Sequence, residues 1–154
     1  IDANIDNILI SVGGGGLISG VGAVLKQYLP NISLIGIEPE GAKGITDSLK
    51  SNQPLKNVQI NSIADSLCAP LHMPYSFSIA KQVIDEMINI TDKDMSDAMV
   101  FSYNHLKLFL EPACVAGFAA LKKFKHENFR GQNTLILLCG SNIDFLSWNS
   151  IINN

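Results

Sequence analysis

The 154-residue chain has one arginine, Arg130, and no run of basic residues able to track a nucleic-acid backbone. Its net charge is −3, so an anionic polymer is excluded as a partner. Only 16% of residues are charged, against roughly a quarter in an average soluble domain. That deficit, with a hydrophobic fraction of 47%, suits a sheet covered on both faces or a chain that buries much of its outside against something else. Lys122-Lys123-Phe124-Lys125 is the one basic cluster, and it reads as the cationic end of a helix. Cys68, Cys114 and Cys139 are odd in number and lack CxxC spacing, so neither a zinc site nor a disulfide framework is implied. His72, His105 and His126 lack ligand spacing and read as structural or solvated. No signal peptide is evident. The longest apolar stretch, Leu106 to Leu121, is interrupted by Lys107, Glu111 and Pro112, so no membrane span is expected. A reducing, cytoplasmic setting follows as the expectation. There is no internal repeat, low-complexity stretch or linker, and the length suits one domain with a real core. The sequence opens at Ile1-Asp2-Ala3, without Met and directly before a strand, which reads as a piece of something longer.

What the chain does have is glycine in one place. Ser11-Val12-Gly13-Gly14-Gly15-Gly16-Leu17-Ile18-Ser19-Gly20 follows a short apolar run, Asn7 to Val12, of the kind a buried parallel strand requires. Four glycines strip every Cβ from the turn, and the helix start beyond it offers free N–H groups and a positive dipole end, which suits a phosphate. Leu17, Val21, Val24, Leu25, Tyr28 and Leu29 recur at helical spacing until Pro30, and Gly16 and Gly20 are expected to let that helix lie close on a sheet. Ser33 to Ile37 is a second strand, completing a βαβ unit. A short helix is expected near Thr46 to Ser51, a helix from Tyr75 to Asp85 and a third strand from Met87 to Ile90. Thr91-Asp92-Lys93-Asp94 matches a capping box. It opens a helix whose stripe is Met95, Ala98, Met99, Ser102, Leu106 and Phe109. Pro112 breaks that helix and serves as first residue of another with a small inner face, Ala113, Ala116, Gly117 and Ala120. Thr134 to Leu138 is the fourth strand, and Asp144 onward forms a closing helix. Four buried strands separated by helices predict an α/β, doubly wound parallel sheet.

Glu38, at the end of the second strand and about twenty residues past the glycines, stands where a dinucleotide site places its ribose-binding acid. The glycine spacing fails that pattern, since GxGxxG read from Gly13 or Gly14 requires glycine at Ile18 or Ser19. A Walker A loop fails as well, for no Gly-Lys-Ser/Thr follows. Glycines serving only as a tight turn is the remaining structural reading.

Four stations, in order, are Val12-Gly13-Gly14-Gly15-Gly16-Leu17, Ile63-Ala64-Asp65, Leu110-Glu111-Pro112-Ala113 and Cys139-Gly140-Ser141-Asn142-Ile143-Asp144. Together they resemble the fold-type II pyridoxal-phosphate enzymes, within them the serine/threonine dehydratase (threonine ammonia-lyase) and serine racemase branch. The resemblance runs from Asn7 to Asp144. It implies that residues 1–154 are the C-terminal part of the cofactor-binding large domain in the tryptophan synthase β-like fold. It further implies that the amides of Gly13, Gly14, Gly15, Gly16 and Leu17 hold the phosphate of pyridoxal 5'-phosphate. Glu111 would lie near the ring, and Cys139 would face the pyridine nitrogen where many relatives place Ser. A thiol there is a neutral partner and weakens the electron sink, which favours expulsion of a β-hydroxyl. Taken from the residues alone, Cys139 is also readable as a small strand-end residue, Glu111 as a helix-entry carboxylate and Asp65 as a turn former. At Ser66 the family more often has Gly, close to the cofactor. Serine racemase-like relatives bind a divalent cation through the acid at Glu38, the carbonyl at Ala42 and an acid two residues on, where this chain has Gly44. The competing reading of Glu38 is a strand-end acid that caps a turn.

The same resemblance exposes an absence. The Schiff-base lysine of the family sits in a Ser-x-Lys-x-Arg-Gly segment N-terminal to everything here, and this chain has no such segment. Its ten lysines lie on polar helix faces or in turns, with Lys107 nearest to apolar company. The resemblance therefore implies a longer L-threonine/L-serine dehydratase, which acts on a small amino-acid substrate and releases a 2-oxo acid and ammonia. Serine racemase and a non-catalytic cofactor-binding remnant are the alternatives. The full protein is expected to be a homo-oligomer. The chain by itself is expected to be inactive, with an open sheet edge that favours self-association.

Overall fold

The strand that leads into the glycines, β1 (Asn7–Ser11), is buried along its whole length because it has a partner on each side. A computed structural model describes residues 4–124 and 129–153. The expectations for Lys125 and His126 lie outside the described residues. β1 pairs in parallel with β2 (Ser33–Pro39), with Ile8 opposite Leu34 and Ile10 opposite Gly36. On its other side it pairs in parallel with β4 (Thr134–Ile136), with Ile8 opposite Leu135. β3 (Glu86–Ile90) lies outside β2, again parallel, which gives the order β3-β2-β1-β4.

Alternation along the strands divides the core in two. Ile8, Ile10, Val12 and Leu34 face a layer formed by Ile18 of α1 (Gly16–Tyr28) with Phe77 and Val83 of α3 (Pro74–Val83), and Ile45 of α2 (Gly44–Ser51) joins them. Leu9, Ile35, Ile37, Ile88 and Ile90 face the opposite layer. That layer is α4 (Asp92–Phe101), α5 (Ala116–Lys123) and α6 (Phe145–Ile152), which bring Met95, Met99, Ala116, Ala120 and Trp148. The doubly wound parallel sheet is as the sequence predicts. The chain moves outward from β1 through β2 to β3, then returns to place β4 on the far side of β1. Strand order thus reverses at β1, and the crevice beyond the carboxyl ends of β1 and β4 is where such sheets bind ligands.

Several local expectations change. The close approach of α1 to the sheet rests on Gly22, where a Cβ would fall 2.6 Å from Leu34 and Val83. Gly16 and Gly20 face open space instead, with nothing within 4 Å of such a Cβ. The capping box holds: Asp94 N–H donates to Thr91 Oγ1 at 3.1 Å and Thr91 N–H to Asp94 Oδ2 at 2.9 Å. The helix it opens is shorter than its apolar stripe. α4 ends at Phe101 and relaxes through a π turn, Ser102–Leu106, where Ser102 Oγ donates to the carbonyls of Met99 and Leu108. Lys107 then takes a left-handed conformation, φ 58°, Leu106 is exposed, and Phe109 packs on Trp148 from the irregular segment that follows. Pro112 does not start α5. The amides of Cys114 and Val115 both donate to the Glu111 carbonyl, and that turn delays the helix to Ala116. β4 is three residues long, with Leu135 and Leu138 exposed, because no strand among the described residues pairs with its outer edge.

Candidate functional site

The glycine loop leaves β1 at Val12, whose N–H still donates to the Ile37 carbonyl at 2.8 Å. Gly15 takes φ +84°, a left-handed conformation that side chains resist, and this turns the chain into α1. No side chain caps that helix and no acid lies in its first turn, so its leading amides and positive dipole end stay available to an anion. At Gly13 a Cβ would fall 3.0 Å from the Ser66 carbonyl oxygen and 3.1 Å from Leu67 Cα. The 65–67 turn therefore presses directly against the loop. Asp65 shapes that turn by accepting from the Ser66 N–H at 2.7 Å.

A cavity of about 240 Å³ opens at the carboxyl ends of β1 and β4. Residues 13–17, Ser66, Leu67, Glu111, Ala113 and Cys139 line it, so three of the sequence stations meet there, while Ile63-Ala64-Asp65 stays out of the lining and is represented only by the residues that follow it. Glu111 joins three segments of the chain there. Its carboxylate, in a residue 7% exposed, accepts from Ser66 Oγ at 3.1 Å through Oε1 and from Asn142 N–H at 2.9 Å through Oε2. Gly140 leaves room for it, for a Cβ there would fall 2.6 Å from Glu111 Oε1 and push the carboxylate aside. Ser11 Oγ donates to the Ala113 carbonyl at 2.7 Å, which ties the end of β1 to the same wall. Cys139 is an exposed free thiol at the cavity edge, whereas Cys114 is buried and its thiol is pushed up by burial. No lysine is among the lining residues; Lys107 is exposed and donates to the Asn104 carbonyl.

Glu38 stands apart from the cavity lining. Its side chain is fully buried beneath α2. Oε1 accepts from Ile45 N–H at 2.8 Å, and Oε2 accepts from Thr46 N–H at 2.9 Å and Thr46 Oγ1 at 2.7 Å. Burial raises its pKa to about 7, against the lowering effect of the Thr46 and Ile45 donors. Ala42 is buried in the turn before α2, and Gly44 opens that helix. His72 is buried alongside, with burial lowering its pKa against the opposing backbone of Gly14. Among the described residues no three His, Cys, Asp or Glu side chains cluster as a metal site. Ser11 and Asn142 lie in quoted motifs but carry no assigned role there, and Leu67 lies in none: each enters the site through the fold.

Residues 1–140 match the family described as pyridoxal-phosphate dependent enzyme. The chain belongs to this family. Among pyridoxal-phosphate dependent enzymes it is 36% identical over 140 residues to phenylserine dehydratase of Ralstonia pickettii, covering 91% of this chain and 43% of that protein. It is 30% identical over 144 residues to the biosynthetic L-threonine dehydratase of Haemophilus influenzae, covering 93% of this chain and 28% of that protein. Its fold superposes on the processed form of threonine deaminase isoform 2 from Solanum lycopersicum with a TM-score of 0.91, at 29% identity, over 97% of this chain and 44% of that one. Serine racemase from Dictyostelium discoideum gives a TM-score of 0.84 at 32% identity, over 94% of this chain and 46% of that one. The chain thus spans less than half the length of each of these relatives. Among the described residues, no helix is long and apolar enough to cross a membrane.

Proposed function

We propose that this chain forms the phosphate-binding and ring-edge side of the site of a longer pyridoxal-phosphate dependent L-threonine/L-serine dehydratase. The convergence of the glycine loop, Ser66, Glu111 and Cys139 on one cavity at the strand-order reversal is the observation that supports this reading. The uncapped α1 start fits a phosphate, and the amides of Gly13, Gly14, Gly15, Gly16 and Leu17 would hold it. When bound, the cofactor withdraws electrons from the substrate's α-carbon and so makes loss of a β-hydroxyl feasible. Glu111, held at both oxygens, offers a fixed wall rather than a mobile base. Cys139, an exposed thiol at the cavity edge, would meet the ring nitrogen. Ser66 and Leu67 wall the cavity beside the loop at Gly13.

The lysine that bonds the cofactor and moves the substrate proton is assigned to a part of the protein outside these residues. Residues 1–154 are accordingly read as the C-terminal part of the large domain, inactive alone, from a cytoplasmic homo-oligomer that acts on a small amino acid. The likeness to the Dictyostelium protein favours serine racemisation as the second reading. The deciding assay supplies the full-length protein with cofactor and, separately, L-threonine and L-serine. 2-Oxobutanoate and pyruvate are the expected products; D-serine without 2-oxobutanoate would replace the dehydratase reading with the racemase one.

A further inference from the structure

The turn from Glu38 to Gly44 is where serine racemase-like relatives place a divalent cation, and its residues here do not fit one. A hard cation asks for several oxygen ligands converging on one point. Both oxygens of Glu38 are instead aimed into the first turn of α2, accepting from Ile45 N–H, Thr46 N–H and Thr46 Oγ1. That places the carboxylate at the positive end of a helix dipole, where a second cationic partner is redundant. The position of the further acid is Gly44, and a side chain there would displace the His72 ring: a Cβ would fall 2.1 Å from His72 Nε2 and 2.9 Å from Val58 Cγ2. His72 is 3% exposed; neither ring nitrogen makes a hydrogen bond of good geometry, and the Gly14 backbone is the polar group that acts on the ring. A buried imidazole with so little polar compensation is costly, and what its ring visibly does is occupy the space beside residue 44.

We propose that in this protein the turn takes no divalent cation: the His72 ring fills the space of the missing ligand side chain and braces α2 behind the glycine loop. The bracing is direct on the α2 side, where Ile45 Cδ1 lies 3.3 Å from a Cβ built on Gly15. The turn therefore holds its shape with no bound metal. This inference rests on membership of the family and on the geometry at residue 44, so failure of the dehydratase assay leaves it standing.

The test uses the full-length protein stripped with EDTA and titrated with Mg²⁺, Ca²⁺ and Mn²⁺ to millimolar levels, read by thermal melting and by cofactor affinity. The wild type and Glu38→Gln are expected to respond alike, with cofactor affinity unchanged within twofold. A cation-dependent rise in melting temperature, or a tenfold tightening of cofactor binding, that is present in the wild type and lost in Glu38→Gln overturns the proposal. The double variant His72→Ala/Gly44→Asp empties the ring's space and restores an acid. It is expected to gain a melting-temperature rise with Mn²⁺ that the wild type lacks. A folded double variant with no such rise shows that the ring does not stand in the ligand's place, and overturns the proposal independently.

Discussion

Ser66 Oγ donates a 3.1 Å hydrogen bond to Glu111 Oε1, joining two loops that are 45 residues apart in the chain. Through the other oxygen, Glu111 reaches Asn142 N–H. One carboxylate thus sets the separation of the three loops that face the glycine turn.

Ser66→Ala should loosen that junction, since one oxygen of a buried carboxylate loses its donor. A cost of about 1 kcal/mol is expected, and Glu111→Ala, which also orphans the Asn142 amide, should cost about 1–3 kcal/mol. A double-mutant cycle of Ser66→Ala and Glu111→Gln in the full-length protein, read by denaturant melts, should return a coupling near 1 kcal/mol. Strict additivity would refute the link.

Two glycines of α1 give opposite expectations. Gly22→Ala forces a methyl to within 2.6 Å of Leu34 and Val83 and should destabilise by about 1–3 kcal/mol. Gly20→Ala meets nothing within 4 Å and should stabilise by up to about 1 kcal/mol through helix propensity. Chemical denaturation of the two variants ranks them, and the reverse order would move the α1 contact elsewhere.

Acid should unfasten the start of α4. Burial alone would raise the Asp94 carboxyl, but the Thr91 N–H and hydroxyl, with Lys123 at 3.4 Å, hold it below its ordinary 3.8. Because the folded value lies below the unfolded one, the ionised group adds stability above about pH 3.8, and this is lost as the pH falls through the folded value. Thr91→Ala should cost about 1 kcal/mol at neutral pH and flatten the acid limb of a stability-pH profile. An unchanged acid limb would exclude the cap as its source.

Titrated by itself, the chain should bind pyridoxal phosphate weakly and without a covalent bond, and NAD not at all. Borohydride reduction followed by peptide mapping should find no stoichiometric adduct. A single modified lysine would show that the chain carries its own covalent anchor.

The glycine loop was legible in the sequence because its signal is local: four small residues between a strand and a helix. The capping box was legible for the same reason. The end of α4 was not, because Ser102 leaves the helical pattern to bond the Leu108 carbonyl, a contact that exists only once the chain has turned. Gly22 escaped notice because its reason for being small is Leu34 and Val83, on other elements. Three of the four stations share a cavity, yet Glu111 Oε1 acquires its partner from Ser66, which lies outside them at a position where the family more often has Gly. Hydrogen bonds across a fold leave no periodicity to read.

The placement of β4 beside β1 has a consequence in time. Asn7 and Thr134 are partners 127 residues apart, so the wall bearing Cys139 joins the glycine loop only after nearly the whole stretch has been synthesised. Contacts of such high sequence separation slow folding, because a long loop must close before they return any energy. The βαβ half can assemble early, but its phosphate cradle stays one-sided until the last strand docks. Tight cofactor capture should therefore be a late event in the maturation of this protein, and the cofactor's arrival rate a clock for closure of the sheet.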